Sequence, residues 1–125
     1  MKLTILGTGT STLTRGKACS AYFVQKQKGG IGIDMGAGVL MRYLDASINY
    51  INIDALILTH TDHPDHVSDL SMFFLSLNYT RGRERVKPLN LYLAKGRKVF
   101  LDKLFELFPK AKPKSYELSI VEVEN

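Results

Sequence analysis

Short apolar segments, separated by glycine-rich or charged turns, make up most of the 125-residue chain. Apolar runs and apolar–polar alternation predict strands over residues 2–6, 20–25, 32–34, 54–59, 88–93 and 116–123. Apolar residues at helical spacing predict three helices, which begin at Val39, near Asp65 or His66, and after the turn 95–97. Strands come first and then alternate with helices. We therefore predict an α/β fold (an α+β arrangement with a mixed sheet), in which helices pack against the sheet.

All three histidines of the chain lie in one short loop, Thr59–His66, where the predicted buried strand 54–59 ends and a helix begins. Ligand sites favour this edge of an α/β sheet. Imidazole and carboxylate are ligands that Zn²⁺ prefers, so the candidate metal ligands are His60, His63, Asp65 and His66. Cys19 is the only thiol and lies far away in sequence, which excludes a thiolate-rich structural zinc site. The alternative is a polar loop whose histidines bond to the backbone.

This histidine loop (Thr59–His66) resembles the signature of the metallo-β-lactamase superfamily, His-x-His-x-Asp-His after a strand. Its second half, His63-Pro64-Asp65-His66, fits that signature without adjustment. His60 stands one residue too early, as though Asp62 had been inserted. One extra residue moves the backbone by up to about 3.5 Å. Either a bulge in the loop absorbs that residue, or Asp62 replaces His60 as a ligand.

Further segments resemble ribonuclease Z, a member of this superfamily: Gly7-Thr8-Gly9, Asp34-Met35-Gly36-Ala37-Gly38 and Phe108-Pro109. The resemblance implies a ribonuclease Z-like phosphodiesterase, a tRNA 3′-end endonuclease that uses a zinc-activated hydroxide on a tRNA precursor or another phosphodiester. It implies two zinc ions, with manganese or iron as the alternative metals. His60 and His63 would bind one ion, and Asp65 and His66 the other. Asp65 would also be the catalytic proton acceptor.

Several alternatives stay open beside this interpretation. The same scaffold could serve an arylsulfatase, a lactonase, a thioesterase or a small phosphodiesterase, or the chain could be a catalytically inactive truncated fragment. Asp34 either supports a metal ligand or bonds to the turn that follows it. Gly7 and Gly9 are predicted to form a turn rather than a dinucleotide-binding loop, because Thr12 stands where that motif requires its third glycine.

Composition narrows the partners and the compartment. The chain carries 17 Lys and Arg against 12 Asp and Glu, a net charge of +5, which permits an RNA partner. The basic run 81–87 is predicted to be a loop that faces either phosphate or solvent. No apolar run approaches the ~20 residues of a membrane span, and the N-terminus is typical of a first strand rather than a signal peptide. A single cysteine fits a reducing cytoplasm.

The resemblance covers only the first half of the superfamily's αββα sandwich. We therefore expect residues 1–125 to form a single incomplete domain, the N-terminal portion, with the second half absent. The chain alone is expected to be inactive, because no histidine follows His66 and the resemblance implies that the further metal ligands come from the second half. The second half would also cover an apolar sheet face. We expect this chain to form a homodimer or to dock onto a complementing second half.

Overall fold

A six-stranded mixed sheet is the frame of the structure, a computed structural model that describes residues 1–124. Its strands are neighbours in chain order: β1 Lys2–Gly7, β2 Ala21–Gln25, β3 Gly30–Ile33, β4 Ala55–Ile57, β5 Leu89–Ala94 and β6 Leu118–Val123. The helices are α1 Val39–Asp45, α2 Leu70–Tyr79 and α3 Lys98–Leu107, and short 3₁₀ turns lie at Tyr50–Asn52, Pro64–His66 and Pro109–Ala111. The predicted α/β class with a mixed sheet is confirmed. Within residues 1–124, no helix is long and apolar enough to cross a membrane.

The sheet combines two modes of strand pairing. β1, β2 and β3 are antiparallel neighbours, and the turn after β2 closes the predicted hairpin. From β3 to β6 the strands run parallel, and each parallel pair is joined by a connection that contains a helix. The carboxyl ends of β3, β4 and β5 therefore meet at one edge of the sheet, where the loops that follow them lie together.

The hydrophobic core lies on one face of the sheet, between the strands and the helices. Phe23, Leu56 and Leu91 occupy inward positions of β2, β4 and β5 and are at most 3% exposed. Burying a side chain of this size contributes about 1.5–3 kcal/mol. A Cβ atom at Gly32 would lie 2.4 Å from the hydroxyl of Tyr43, so this glycine lets α1 pack directly on β3.

Within residues 1–124, no helix packs on the other face of the sheet. Its outward positions alternate with the core positions along each strand and belong to Leu3, Ile5, Tyr22, Val24, Ile31, Ile33, Ala55, Ile57, Asn90, Tyr92, Ala94, Ser119, Val121 and Val123. We call this set the open face. None of its members is charged, and Leu3 and Ile5 are 61% and 59% exposed. An apolar sheet surface of this extent is usually covered by a second layer of structure.

Helix α2 begins at Leu70, so the predicted start near Asp65 or His66 is wrong. A 3₁₀ turn precedes it, and the backbone N–H of Asp69 then donates to the carbonyl of Met35 (3.0 Å) rather than to a helical carbonyl. The apolar spacing that predicts the helix is real, but the turn after β3 holds the preceding segment in a different conformation.

The basic run 81–87 is a loop, as predicted, but one of its arginines faces inward. Arg85 is 1% exposed, and its guanidinium donates to the carbonyl oxygens of Lys87, Ile51 and Pro88 over 2.6 to 2.7 Å. Burial lowers the pKa of this guanidinium, whereas the three carbonyl dipoles stabilise its charge. Neither of the predicted environments, phosphate or solvent, applies to Arg85. It connects the loop to the core.

Replacing Arg85 by methionine should lower the free energy of unfolding by about 2–4 kcal/mol, because three carbonyl oxygens lose their buried donor. Arg83→Met, at an exposed position of the same loop, is the matched control and should change stability by less than about 0.5 kcal/mol. Urea denaturation of both variants beside the wild type measures the difference. Equal effects of the two substitutions would contradict the structural role of Arg85.

Candidate metal centre

The candidate metal centre lies where two consecutive connections leave the carboxyl edge of the sheet. β3 leads into Asp34, and β4 leads into the histidine loop (Thr59–His66). β3 and β4 are parallel neighbours with Ile33 opposite Ile57, so the residues that follow them begin side by side. The backbone N–H of Asp34 donates to the carbonyl of Ile57 (2.8 Å). Strand pairing thus brings together residues that are far apart in sequence.

Three of the four candidate ligands form one group. A ligand atom from each of His60, His63 and Asp65 lies within 4.8 Å of the other two, and the ring centroids of the two histidines are 5.7 Å apart. Asp65 Oδ1 is buried and has no hydrogen-bond partner within residues 1–124. A buried carboxylate oxygen without a donor is destabilising unless a cation or an ordered water lies beside it. The nitrogen and oxygen donors of the group fit a divalent metal ion, and the orphaned oxygen fits a water held beside that ion.

His66, the fourth candidate, lies against the same aspartate. Its Nε2 is 3.4 Å from Asp65 Oδ2, and its Nδ1 is 2.8 Å from Asp34 Oδ2. An ionised carboxylate can only accept, so the neutral ring carries its proton on Nδ1 and keeps a lone pair on Nε2. Two lone-pair atoms then face each other across 3.4 Å. That separation matches the edge of about 3.3 Å expected of a tetrahedral site with metal–ligand bonds near 2.0 Å.

Asp34 connects two of the candidate histidines, His66 directly and His60 through Thr59. It is 4% exposed, and its φ of 63° is left-handed, a conformation that few residues other than glycine, asparagine and aspartate adopt. Its carboxylate accepts from Thr59 N (2.8 Å) and Thr59 Oγ1 (2.7 Å). The Thr59 oxygen can therefore accept from His60 Nδ1, 3.1 Å away. We call Asp34, Thr59, His60 and His66 the Asp34 network. It leaves Nε2 of both histidines free for a metal.

This network bears on the two interpretations of Asp34 that the sequence leaves open. Its side chain bonds to a candidate ligand and to the residue before another, and not to the start of α1. The hydrogen bond to the start of that helix comes from Asp69 instead, whose Oδ2 accepts from Leu40 N (3.0 Å). The contacts favour the interpretation in which Asp34 supports metal ligands.

Gly36 lets the histidine loop approach the turn that follows β3. A Cβ atom at this position would lie 1.7 Å from the carbonyl oxygen of Asp65. The neighbouring N–H of Met35 donates to the carbonyl of His66 (2.9 Å). These two contacts hold the backbone of Asp65 and His66 against the turn, which fixes where their side chains begin.

The glycine pair near the N-terminus packs against the chain itself. A Cβ atom at Gly7 would lie 2.1 Å from the carbonyl oxygen of Cys19, and one at Gly9 would lie 2.6 Å from that of Ala18. The N–H of Gly9 donates to the same Ala18 oxygen (2.8 Å). The turn predicted for this glycine pair is wrong, because Gly7 ends β1 and Gly9 forms an isolated bridge with Cys19. Cys19 is 2% exposed and lies outside the ligand group.

Asp62, the residue inserted relative to the signature, points away from the ligand group. Its Oδ1 is 2.6 Å from Nη2 of Arg97, in the turn between β5 and α3. His60 stays beside His63. Of the two alternatives for the insertion, the geometry favours a bulge in the loop over replacement of His60 by Asp62.

The sequence alone does not single out Thr59, which contacts Asp34 and His60, or Arg97, which pairs with Asp62 of the histidine loop. Thr59 is a common residue at the end of a strand, and its role depends on a carboxylate that strand pairing brings beside it. Arg97 lies in a charged turn that would ordinarily be solvent-exposed. The available signal is positional, because both residues follow parallel strands whose carboxyl ends form the expected ligand edge.

One protein family and several curated proteins are similar to this chain in sequence. The family described as Anti-Pycsar protein Apyc1 matches residues 1–107. A ribonuclease Z from Ligilactobacillus salivarius is 32% identical over 127 residues, which cover 99% of this chain. The chain spans only 39% of the length of that relative.

Solved structures agree with the sequence matches. Human tRNase Z, short form, aligns over 100% of this chain and 46% of its own, with a TM-score of 0.79 and 21% identity. The metallo-β-lactamase fold protein YhfI from Bacillus subtilis aligns over 97% of this chain and 44% of its own, with a TM-score of 0.69 and 21% identity. These alignments show that the chain has the metallo-β-lactamase fold. It spans less than half the length of each of these two proteins.

Replacing Asp34 by asparagine should weaken zinc binding by at least about tenfold. The amide has one acceptor oxygen in place of two, so it cannot serve both Thr59 and His66 as the carboxylate does. Asparagine adopts the left-handed conformation readily, so the change tests the carboxylate and not the turn. Titration against a chromophoric chelator measures the affinity, with Asp102→Asn on exposed α3 as the control. An Asp34→Asn affinity equal to that of the control would refute the role of the network.

Proposed function

The chain belongs to the family described as Anti-Pycsar protein Apyc1 and is a ribonuclease Z-like protein of the metallo-β-lactamase superfamily, and we propose that it carries the first metal-binding half of a zinc-dependent phosphodiesterase. The observation that carries the proposal is the group of His60, His63 and Asp65 with the orphaned Asp65 Oδ1. The 32% identity to a ribonuclease Z supports the 3′ end of a tRNA precursor as the substrate.

The donor atoms suggest how the metals would be shared. His60 and His63 would hold one ion through their Nε2 atoms, and Asp65 and His66 would hold the second. The separation of 3.4 Å between Asp65 Oδ2 and His66 Nε2 supports the second pair. When bound, zinc lowers the pKa of a water toward about 7 and neutralises charge that develops on the phosphate. Manganese and iron suit the same donors.

Asp65 is the residue to which we assign proton transfer. Its two oxygens have different surroundings, since Oδ2 faces His66 while Oδ1 is buried without a partner. Oδ1 would accept the proton of the attacking water and pass it to the leaving oxygen. A carboxylate whose other oxygen binds a metal is a weakened base, which suits a group that must release the proton again. The Asp34 network favours the tautomer of His60 and His66 that has its lone pair on Nε2.

A small phosphodiester is the second candidate substrate. The family that matches residues 1–107 is described by the name of an anti-Pycsar protein and not by that of ribonuclease Z, so the relatives divide between two names. Hydrolysis of sulfate esters, lactones or thioesters has no observation in its favour.

The open face supports a proposal about partners: in the isolated chain it binds a second copy. The accessible surface of 7583 Å² is about 900 Å² larger than a compact monomer of this mass exposes. A standard interface buries about 800 Å² on each partner. Because the open face carries no charge, two copies can meet there without facing like charges, although each chain has a net charge of +5. A complementing second half would occupy the same face.

The chain purified without chelator should retain about one equivalent of zinc. Joined to the second half of the Ligilactobacillus salivarius relative, it should cleave a tRNA precursor, whereas the chain alone should not. Asp65→Asn should reduce the rate of the complemented protein by a factor of about 100 or more, while Asp102→Asn should leave it unchanged. Faster turnover of bis(p-nitrophenyl) phosphate than of the precursor would favour the second candidate substrate. Absence of zinc and of both activities would refute the proposal.

At tens of micromolar the isolated chain should sediment as a dimer, and Ile5→Lys should convert it to a monomer by placing a charge on the apolar interface. Met41→Lys is the matched control, because Met41 is 61% exposed on α1 while Ile5 is 59% exposed on the open face. Analytical ultracentrifugation distinguishes the species. A wild-type chain that sediments as a single monomeric species would exclude the second copy as the occupant.

A further inference from the structure

The residue inserted before His63 lies in the least supported part of the histidine loop. Within residues 1–124, no backbone hydrogen bond joins Thr61, Asp62 or His63 to a strand or helix. Among the described residues, the carbonyl of His63 accepts a backbone hydrogen bond only from the N–H of His66, inside the same loop (3.3 Å). The later residues of the loop are bonded to the turn after β3. The early residues Thr61, Asp62 and His63, which include the candidate ligand His63, lack that support.

An ion pair connects this early part to the sheet. Asp62 Oδ1 is 2.6 Å from Arg97 Nη2, with side chains that are 49% and 46% exposed respectively. The turn that carries Arg97 is itself fixed: its N–H donates to the Ala94 carbonyl (3.1 Å), and the N–H of Lys98 donates to Glu122 Oε1 (2.8 Å). This turn follows β5, the neighbour of the strand that leads into the loop.

We propose that the Asp62–Arg97 ion pair is a clamp that positions His60 and His63 on a shared metal ion despite the extra residue. One extra residue adds up to about 3.5 Å of chain, which would otherwise let the two imidazoles separate. The pair draws that residue outward, and the ligand atoms of the group stay within 4.8 Å of one another. Asp62 and Arg97 act through the histidines as positioning residues. The inference rests on the metal centre of the proposed function.

The clamp should affect metal binding much more than it affects folding. An exposed ion pair contributes little to global stability. A metal ion, however, binds His60 and His63 only when both side chains are in position. If the loop must first become ordered, the conformational entropy that it loses weakens metal binding. Mutating a residue that orients a metal ligand typically lowers metal affinity by about 10- to 100-fold. We expect a loss of about tenfold when either partner of this pair is replaced.

The zinc affinity of Arg97→Gln separates the clamp from simple electrostatics. Removing a positive charge beside a cation site strengthens binding by Coulomb's law, whereas loss of the clamp weakens it. We expect Arg97→Gln and Asp62→Asn each to weaken zinc binding about tenfold, and the double variant to be no weaker than either single variant. Competition with a chromophoric chelator measures all three. An Arg97→Gln affinity equal to or above that of the wild type would overturn the proposal.

The matched control is Arg42→Gln, which breaks a comparable exposed pair, Arg42–Asp45 (3.4 Å), on α1. This variant should bind zinc like the wild type. In the metal-free chain, ¹⁵N relaxation should give order parameters for Thr61–His63 that fall toward about 0.6 in Arg97→Gln but not in Arg42→Gln. A wild type that binds no zinc would refute the metal centre alone, because this second measurement still decides the clamp. Unchanged order parameters in Arg97→Gln would overturn it.

Discussion

The buried carboxylate of Asp34 is the interaction on which the candidate centre depends. A buried ionised group is tolerated only when its acceptor sites are filled, and here Thr59 and His66 fill them. The same hydrogen bonds hold the ends of β3 and β4 together and set the orientation of two imidazoles. Stability and ligand geometry are therefore properties of one set of contacts. The left-handed backbone of Asp34 is a local strain that this set offsets.

The two faces of the sheet differ in how far their side chains are buried. On the helical side, residues such as Phe73 and Leu56 are fully buried, so that layer needs no further structure. On the other side, strands of the same sheet present Ile5 and Val121 to solvent. The candidate centre lies at the edge where both sides meet. Its donors lie in the loop that follows β4.

Most of the fold follows from patterns that the sequence displays directly. Apolar spacing gives the three helices and the strands, and the position of the histidine loop after a buried strand gives the ligand edge. The start of α2 does not follow, because the bond between Asp69 and Met35 overrides the helical pattern. Arg85 does not follow either, since charge alone does not reveal that three carbonyl oxygens converge on it. In each case a contact between distant segments decides the local structure.

The candidate site, like the fold, can be predicted only in part from the sequence. Residue type and clustering identify His60, His63, Asp65 and His66, but the direction in which Asp62 points depends on Arg97, which lies in another connection. The hydroxyl of Thr59 likewise gains its role only when Asp34 arrives beside it. Sequence analysis can thus name donors that are close in the chain, whereas the contacts that orient them depend on the pairing of β3, β4 and β5.

The order of the strands in the sheet has a consequence for synthesis. Each strand pairs with the one made immediately before it, so a growing chain can add strands without waiting for a distant partner or displacing an earlier pair. All members of the Asp34 network, together with Arg97, lie between the start of β3 and the start of α3. The Asp34 network and the Asp62–Arg97 pair can therefore form on the ribosome soon after β5 and the turn that follows it emerge. A nascent chain would then hold the candidate metal ligands in place while β6, the last strand of the open face, is still being made.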